Sequence, residues 1–134
     1  MKIFESISQE KILAVVRITC GLLLVYHGQE VFDPNKMNEY AKWEIFNRTF
    51  GETLAYLGKG AEFVAGVCWV LGILVRLASM MVIVTFLYIT FFIGHGKFWY
   101  EDQHPFMFLL FGILYLFIGS GNVGIFRFLK KNNH

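Results

Sequence analysis

Four stretches of this chain stay apolar long enough to cross a bilayer: Ile12 to Val31, Leu54 to Val75, Leu77 to Gly94 and Pro105 to Phe126. About 20 such residues, rising 1.5 Å each as a helix, cover the roughly 30 Å of hydrocarbon. The last two carry no charged side chain, whereas the first holds Arg17 and Glu30 and the second Lys59 and Glu62. Between the first and second lies the one substantial loop, Phe32 to Thr53, and its pattern changes. Met37, Tyr40, Trp43, Phe46 and Phe50 recur at steps of three or four, with Lys36, Glu39, Lys42, Glu44 and Arg48 between them. That spacing makes one apolar stripe on a short helix over 37–50, expected to lie on the membrane surface, with a lid over a site as the sharper reading. The pattern therefore predicts an all-α polytopic membrane protein. It is a four-transmembrane-helix bundle with one amphipathic interfacial helix, in a single membrane domain over 1–134.

Composition agrees. Of 134 residues, 56% are hydrophobic and 16% charged, and the mean hydropathy is +0.53, values far from a soluble domain. A net charge of +2 with scattered basic residues gives no stripe for nucleic acid, which is excluded as a partner. Cys20 and Cys68 sit singly inside apolar segments, without the CxxC spacing of a dithiol or thiolate-metal site. They read as small buried hydrophobes. The N-terminal apolar run contains Arg17 and is not followed by a small-residue cleavage site, so a retained first helix is expected.

Basic residues orient the spans. With the N-terminus inside, Lys2, Lys11, Arg76, Arg127, Lys130 and Lys131 face the cytoplasm, against Lys36, Lys42, Arg48 and Lys97 outside. Both termini are thus expected to be cytoplasmic. His27, Glu30, Lys59, Glu62, His95, Glu101, Asp102 and His104 then fall in the outer half of the bundle or just above it.

Glu62 stands out among them. A charge at the centre of a spanning helix costs roughly 3 kcal/mol on insertion scales, so one that stays has a partner or a task. Glu62 shares a helix face with Lys59, Gly66 and Trp69, while Arg17, Gly21 and Gly28 share a face of the first span with Cys20 and His27 along its edge. Two glycine-bearing faces, each with a charge, are expected to pack on each other. The candidate polar cluster is Glu62, Arg17, His27, Lys59 and Glu30. His95, Glu101, Asp102 and His104 form a second tier. Gly21, Gly28, Gly66 and Gly72 are candidate packing positions, and Arg76 is a basic residue at the inner end. A metal centre built from His27, His95, His104 and Glu101 or Asp102 is disfavoured, because none of these histidines share the i, i+4 spacing of one helix.

The run Glu62-x3-Gly66-x5-Gly72-x3-Arg76 follows a first helix with Arg17, Gly21 and a His27-Gly28 end, and a long apolar helix closes on Gly119-x-Gly121. In these features the chain resembles the DoxX family of four-helix bacterial membrane proteins, from about Ala14 to Gly124. It departs from the family where Asn122-Val123-Gly124 stands in place of a small residue and an aspartate. The resemblance implies Glu62, Gly66, Gly72, Arg76, Arg17 and Gly28 as characteristic positions, and a bacterial cytoplasmic membrane as the location. Such families include membrane subunits of thiosulfate:quinone oxidoreductases and proteins tied to quinone stress. The expectation is an accessory subunit of a redox or quinone-linked membrane system, with a possible redox partner subunit or homo-oligomer. No intrinsic cofactor is expected, and a quinone-like ligand would sit near Glu62 and His27 with Trp69 and Tyr26 as aromatic walls. No nucleotide loop, haem-attachment motif, serine elbow or dinucleotide fingerprint occurs in the chain, so redox chemistry would come from a partner or a diffusible ligand. The alternative is a non-catalytic scaffold or assembly factor in which Glu62 pairs with Arg17 or Lys59 to set helix register.

Overall fold

A computed structural model describes residues 8–42, 51–121 and 123–132, and the described residues are all helix, turn or loop. Helix α1, Gln9–Gly28, tightens into a 3-10 turn at Gln29–Phe32. A short α2, Pro34–Ala41, follows, then α3, Gly51–Leu71, and α4, Val75–Tyr88. Helix α4 continues as a π-helical turn at Ile89–Ile93. Helix α5 spans Gln103–Ile118 and α6 spans Ile125–Asn132.

Three of these segments are long and apolar enough to cross a membrane: Gln9–Phe32, Gly51–Leu71 and Val75–Ile93. Helix α5 is apolar but has 16 residues, about 24 Å of helix, and it stops eight residues short of the expected end at Phe126. The stop is local. Gly119 takes φ 71°, a left-handed conformation that a side chain resists, and its N–H closes on the Tyr115 carbonyl at 2.9 Å. The second expected span also ends early, at Leu71 instead of Val75. Gly72 at φ 70° lets the Ile73 N–H reach back to the Cys68 carbonyl at 3.0 Å, the Schellman closure of a helix end.

The expected loop helix starts earlier than its apolar stripe suggested. Asp33 accepts from the N–H groups of Asn35 (3.0 Å) and Lys36 (3.4 Å), and Pro34 occupies the first turn, where a missing N–H costs nothing. Met37 is only 1% exposed and packs on Ala55 beside Tyr40, Tyr88 and Ile93. The apolar side of α2 is therefore turned onto α3 and the end of α4. The remainder of that expected helix, 43–50, lies outside the described residues, as do Lys2 and Asn122.

Backbone contact joins α1 to α3. A Cβ built at Gly66 would lie 2.7 Å from the Gly21 carbonyl and 2.8 Å from the Val25 nitrogen, and one at Gly28 would overlap the backbone of Phe63. The small-residue faces of the two antiparallel helices thus touch without side chains between them. Against this pair, α4 and α5 complete the core by bringing Val82, Phe86, Phe108 and Tyr115 to Trp69 of α3, with the rings of Phe86 and Phe108 stacked at 5.0 Å. Val15, Leu22, Leu23, Val84, Leu87, Leu110 and Phe117 point outward, an apolar girdle suited to lipid.

The Gly28 contact has a testable cost. Gly28→Val forces the helices apart and is expected to destabilise the bundle by roughly 1–3 kcal/mol, read as a lower melting temperature in detergent. Gly60→Ala adds a methyl where nothing lies within 4 Å and should leave that temperature unchanged. Equal behaviour of the two variants would contradict the packing described.

Candidate functional site

At one end of the bundle, three elements bring polar side chains to a single cation. Lys59 and Glu62 are one helical turn apart on α3, Glu30 sits in the 3-10 turn after α1, and Tyr40 lies on α2. Lys59 Nζ lies 3.2 Å from Glu30 Oε2 and 3.4 Å from Glu62 Oε2, and 5.2 Å from the centre of the Tyr40 ring. The Tyr40 hydroxyl donates to the same Glu30 oxygen. Burial, and after it that hydrogen bond, hold the Tyr40 phenol above its ordinary value, so it remains a donor at neutral pH. Glu62 is the buried member, 4% exposed, while Glu30 and Lys59 are partly open. Two carboxylates thus share one ammonium group, so the cluster has room for one additional positive charge or proton.

The cluster heads a groove of about 740 Å³ between α3 and α4. Apart from Lys59, Glu62, Tyr40, Thr85 and Tyr88, the lining is aliphatic, with Met80 and Leu77 at the far end. The π-helical turn contributes Ile89 and Ile93 opposite Tyr40. Leu57 and Val84, 62% and 68% exposed, stand on either side, so the groove opens laterally toward lipid. Gly58 lines it, and a Cβ there would meet nothing within 4 Å.

Arg17 belongs elsewhere. It is 2% exposed and faces three main-chain carbonyls: Nε donates to Trp69 (2.9 Å), Nη1 to Ser120 (2.8 Å) and Nη2 to Val123 (2.7 Å). The first acceptor belongs to the last turn of α3 and the other two to the segment that follows α5, so one guanidinium serves the carbonyl-rich ends of two helices. A helix C-terminus carries partial negative charge, and this supplies counter-charge to Arg17, which among the described residues has no carboxylate within ion-pair distance. The Tyr115 hydroxyl closes the same region by donating to Leu13 O at 2.6 Å. Gly72 is small for this reason too, since a Cβ there would stand 2.8 Å from Arg17 Nη2.

The remaining expected residues divide. His27 and His104 meet edge to face with ring centres 5.6 Å apart, bringing the ends of α1 and α5 together. Asp102, of the second tier, is buried and accepts from the N–H groups of His95 and Lys97, both at 3.0 Å, so it shapes the loop before α5. Glu101 pairs with Lys97 at 3.9 Å on the surface, and His95 is exposed. Among the described residues, no group of three His, Cys, Asp or Glu side chains comes together to hold a metal. Arg76 reaches the Phe117 carbonyl at 3.4 Å beside a second cleft of about 590 Å³. The expected aromatic walls are absent from the groove. Trp69 is fully buried, donating to Ser79 at 3.2 Å, and Tyr26 points outward next to His27.

Tyr40 was visible in sequence only as part of an apolar stripe, and its role as a donor needs the fold of α2 onto α3. Met80, Thr85 and Ile89 lie in a charge-free span with no mark of a groove. Ser120 and Val123 act through their carbonyls, which leave no signature in a sequence.

The family model for DoxX matches residues 12–95, which covers α1 to α4 with Arg17, the Lys59 cluster and the groove, and leaves α5 and α6 beyond it. No curated protein and no solved structure matches the chain.

Removing the guanidinium should strand all three carbonyls. Arg17→Met is expected to cost roughly 1–3 kcal/mol in detergent unfolding, the cost of leaving the buried Trp69 carbonyl unpaired, with a smaller addition from the partly buried Ser120 and Val123 carbonyls. Arg17→Lys recovers only part, because an ammonium cannot span the fork. Full stability of Arg17→Met would show the clamp to be dispensable. Asp102→Ala should speed amide exchange at His95 and Lys97 while leaving α3 protected, and unchanged exchange there would refute its part in holding that loop.

Proposed function

The chain belongs to the DoxX family of membrane proteins, and from that premise we propose that it is an accessory subunit of a redox or quinone-linked membrane system. It holds a small amphipathic, quinone-like ligand in the groove between α3 and α4. The observation that carries this reading is the groove itself: aliphatic along its length, open sideways to lipid, and polar where Lys59, Glu62 and Tyr40 meet. A lipid-soluble ring with carbonyl oxygens enters from the bilayer, lays its apolar tail against Met80 and Leu77, and accepts a hydrogen bond from the Lys59 ammonium, whose third N–H is not used by Glu30 and Glu62. Glu62, which shares its ammonium partner with Glu30, is the group placed to hand over or take up a proton. In this reading α5 is the fourth crossing, both termini face the cytoplasm of a bacterium, and the electrons come from a partner subunit.

A second reading has its own support. Lys59 ties the end of α1 to α3 through Glu30, and Tyr40 adds α2 to the same knot, which is what a purely structural ion-pair network in a scaffold or assembly factor would need.

The two part on one set of variants in lipid nanodiscs. Binding of a decyl-substituted benzoquinone should weaken at least tenfold in Gly58→Leu, which fills the groove from an empty position, and stay unchanged in Gly60→Leu on the same helix, which does not line it. Glu62→Gln should retain the fold and abolish the pH dependence of binding. If the benzoquinone binds Gly58→Leu as well as the unaltered chain, the ligand reading is lost. The scaffold reading predicts no specific binding at all, with Lys59→Glu and Glu62→Lys each lowering abundance and restoring it when combined.

A further inference from the structure

We propose that α6 is a surface anchor that docks on anionic phospholipid at the membrane face where α3 and α5 end. It is built for that place. At about 100° per residue, Ile125, Phe128 and Leu129 fall on one side of the helix and Lys130 and Lys131 on the other. Among the described residues the apolar side stays largely open: Ile125, Phe128 and Leu129 are 39%, 64% and 52% exposed, and α6 shares no packed face with the spanning helices. Eight residues are too few to hold a helix in water by themselves, so the segment needs a surface to fold against.

The height of α6 is set independently. Arg17 grips the carbonyls of Ser120 and Val123, and a Cβ at Gly124 would lie 2.8 Å from the Gly72 carbonyl in the turn that joins α3 to α4. The first residue of α6 therefore leaves the bundle level with the ends of two membrane helices, at the boundary between hydrocarbon and headgroups. There a helix lying flat sinks its apolar side into the acyl chains and lifts its lysines among the phosphates. Between α6's first and last residues there is no acidic side chain to answer those lysines, and at the same end of the bundle Arg76 and Glu10 line one cleft and offset each other. The complement of this surface is a sheet of negative charge over an apolar interior, which is an anionic leaflet and not a soluble partner. Each lysine near such a surface multiplies binding by roughly fivefold. The buried Arg17 clamp thereby gains a consequence beyond packing, because it decides where the anchor is presented.

The test is amide exchange over 125–132 in the full chain, in nanodiscs of phosphatidylcholine alone and with about a third phosphatidylglycerol. Exchange is expected to slow roughly tenfold or more when phosphatidylglycerol is present. The effect should vanish in 0.5 M salt, on the order of a 4 Å Debye length, and in the Lys130→Gln, Lys131→Gln double variant. That variant's melting temperature should match that of the unaltered chain. Equal protection in both lipids would mean that α6 rests on apolar contact alone or on a second copy, and would overturn the proposal. Fast exchange in both lipids would overturn it as well. The salt arm needs no variant, so a folding defect in the double substitution does not rescue the idea.

Discussion

Everything distinctive in this molecule depends on how closely α1 and α3 approach. Their glycine faces bring main chain against main chain, with Gly21 on Gly66 and Gly28 on the backbone of Phe63. In a bilayer there is no hydrophobic drive between helices, so association rests on such close packing and on polar contacts. The approach also sets register. At one end it carries Arg17 to the Trp69 carbonyl, and at the other it brings Glu30 to Lys59. A slip of one turn, about 5.4 Å, would break both at once.

The two ends then solve the problem of a buried charge differently. Arg17 donates to three main-chain carbonyls at or just beyond helix ends, so among the described residues its hydrogen bonds are spread over main chain. Lys59 is held between two carboxylates at an open groove, where the balance of charge changes with a proton or a ligand. A rigid clamp and a responsive cluster share one helix pair. This division explains why Glu62, although it lies on the same pair of helices as Arg17, takes Lys59 as its ion-pair partner and leaves the arginine to the chain ends.

Much of this was legible in advance, and the reasons differ by residue. The apolar lengths located α1, α3 and α4, and the glycine spacing marked the faces on which α1 and α3 meet. Lys59 and Glu62 are neighbours through helical periodicity alone. The break at Gly119 was harder to see, since a glycine inside an apolar run only becomes a stop once its φ is known. The part Asp102 plays left no mark in the sequence, because its partners, the His95 and Lys97 N–H groups, are main-chain atoms. Of the two partners expected for Glu62, Arg17 or Lys59, the structure takes Lys59, and the Arg17 alternative neglected carbonyls as acceptors.

The sequence by itself determined that this chain lives in a membrane, that α1, α3 and α4 are long and apolar enough to span, and that Glu62 sits in costly surroundings. These follow from hydropathy and period, which are local properties of the chain. Only the tertiary structure decided that Arg17 binds two helix ends, that Tyr40 and Glu30 join Lys59, and that a lateral groove lies beside them. Those facts depend on the crossing and register of helices distant in sequence, and on main-chain atoms that every residue carries alike.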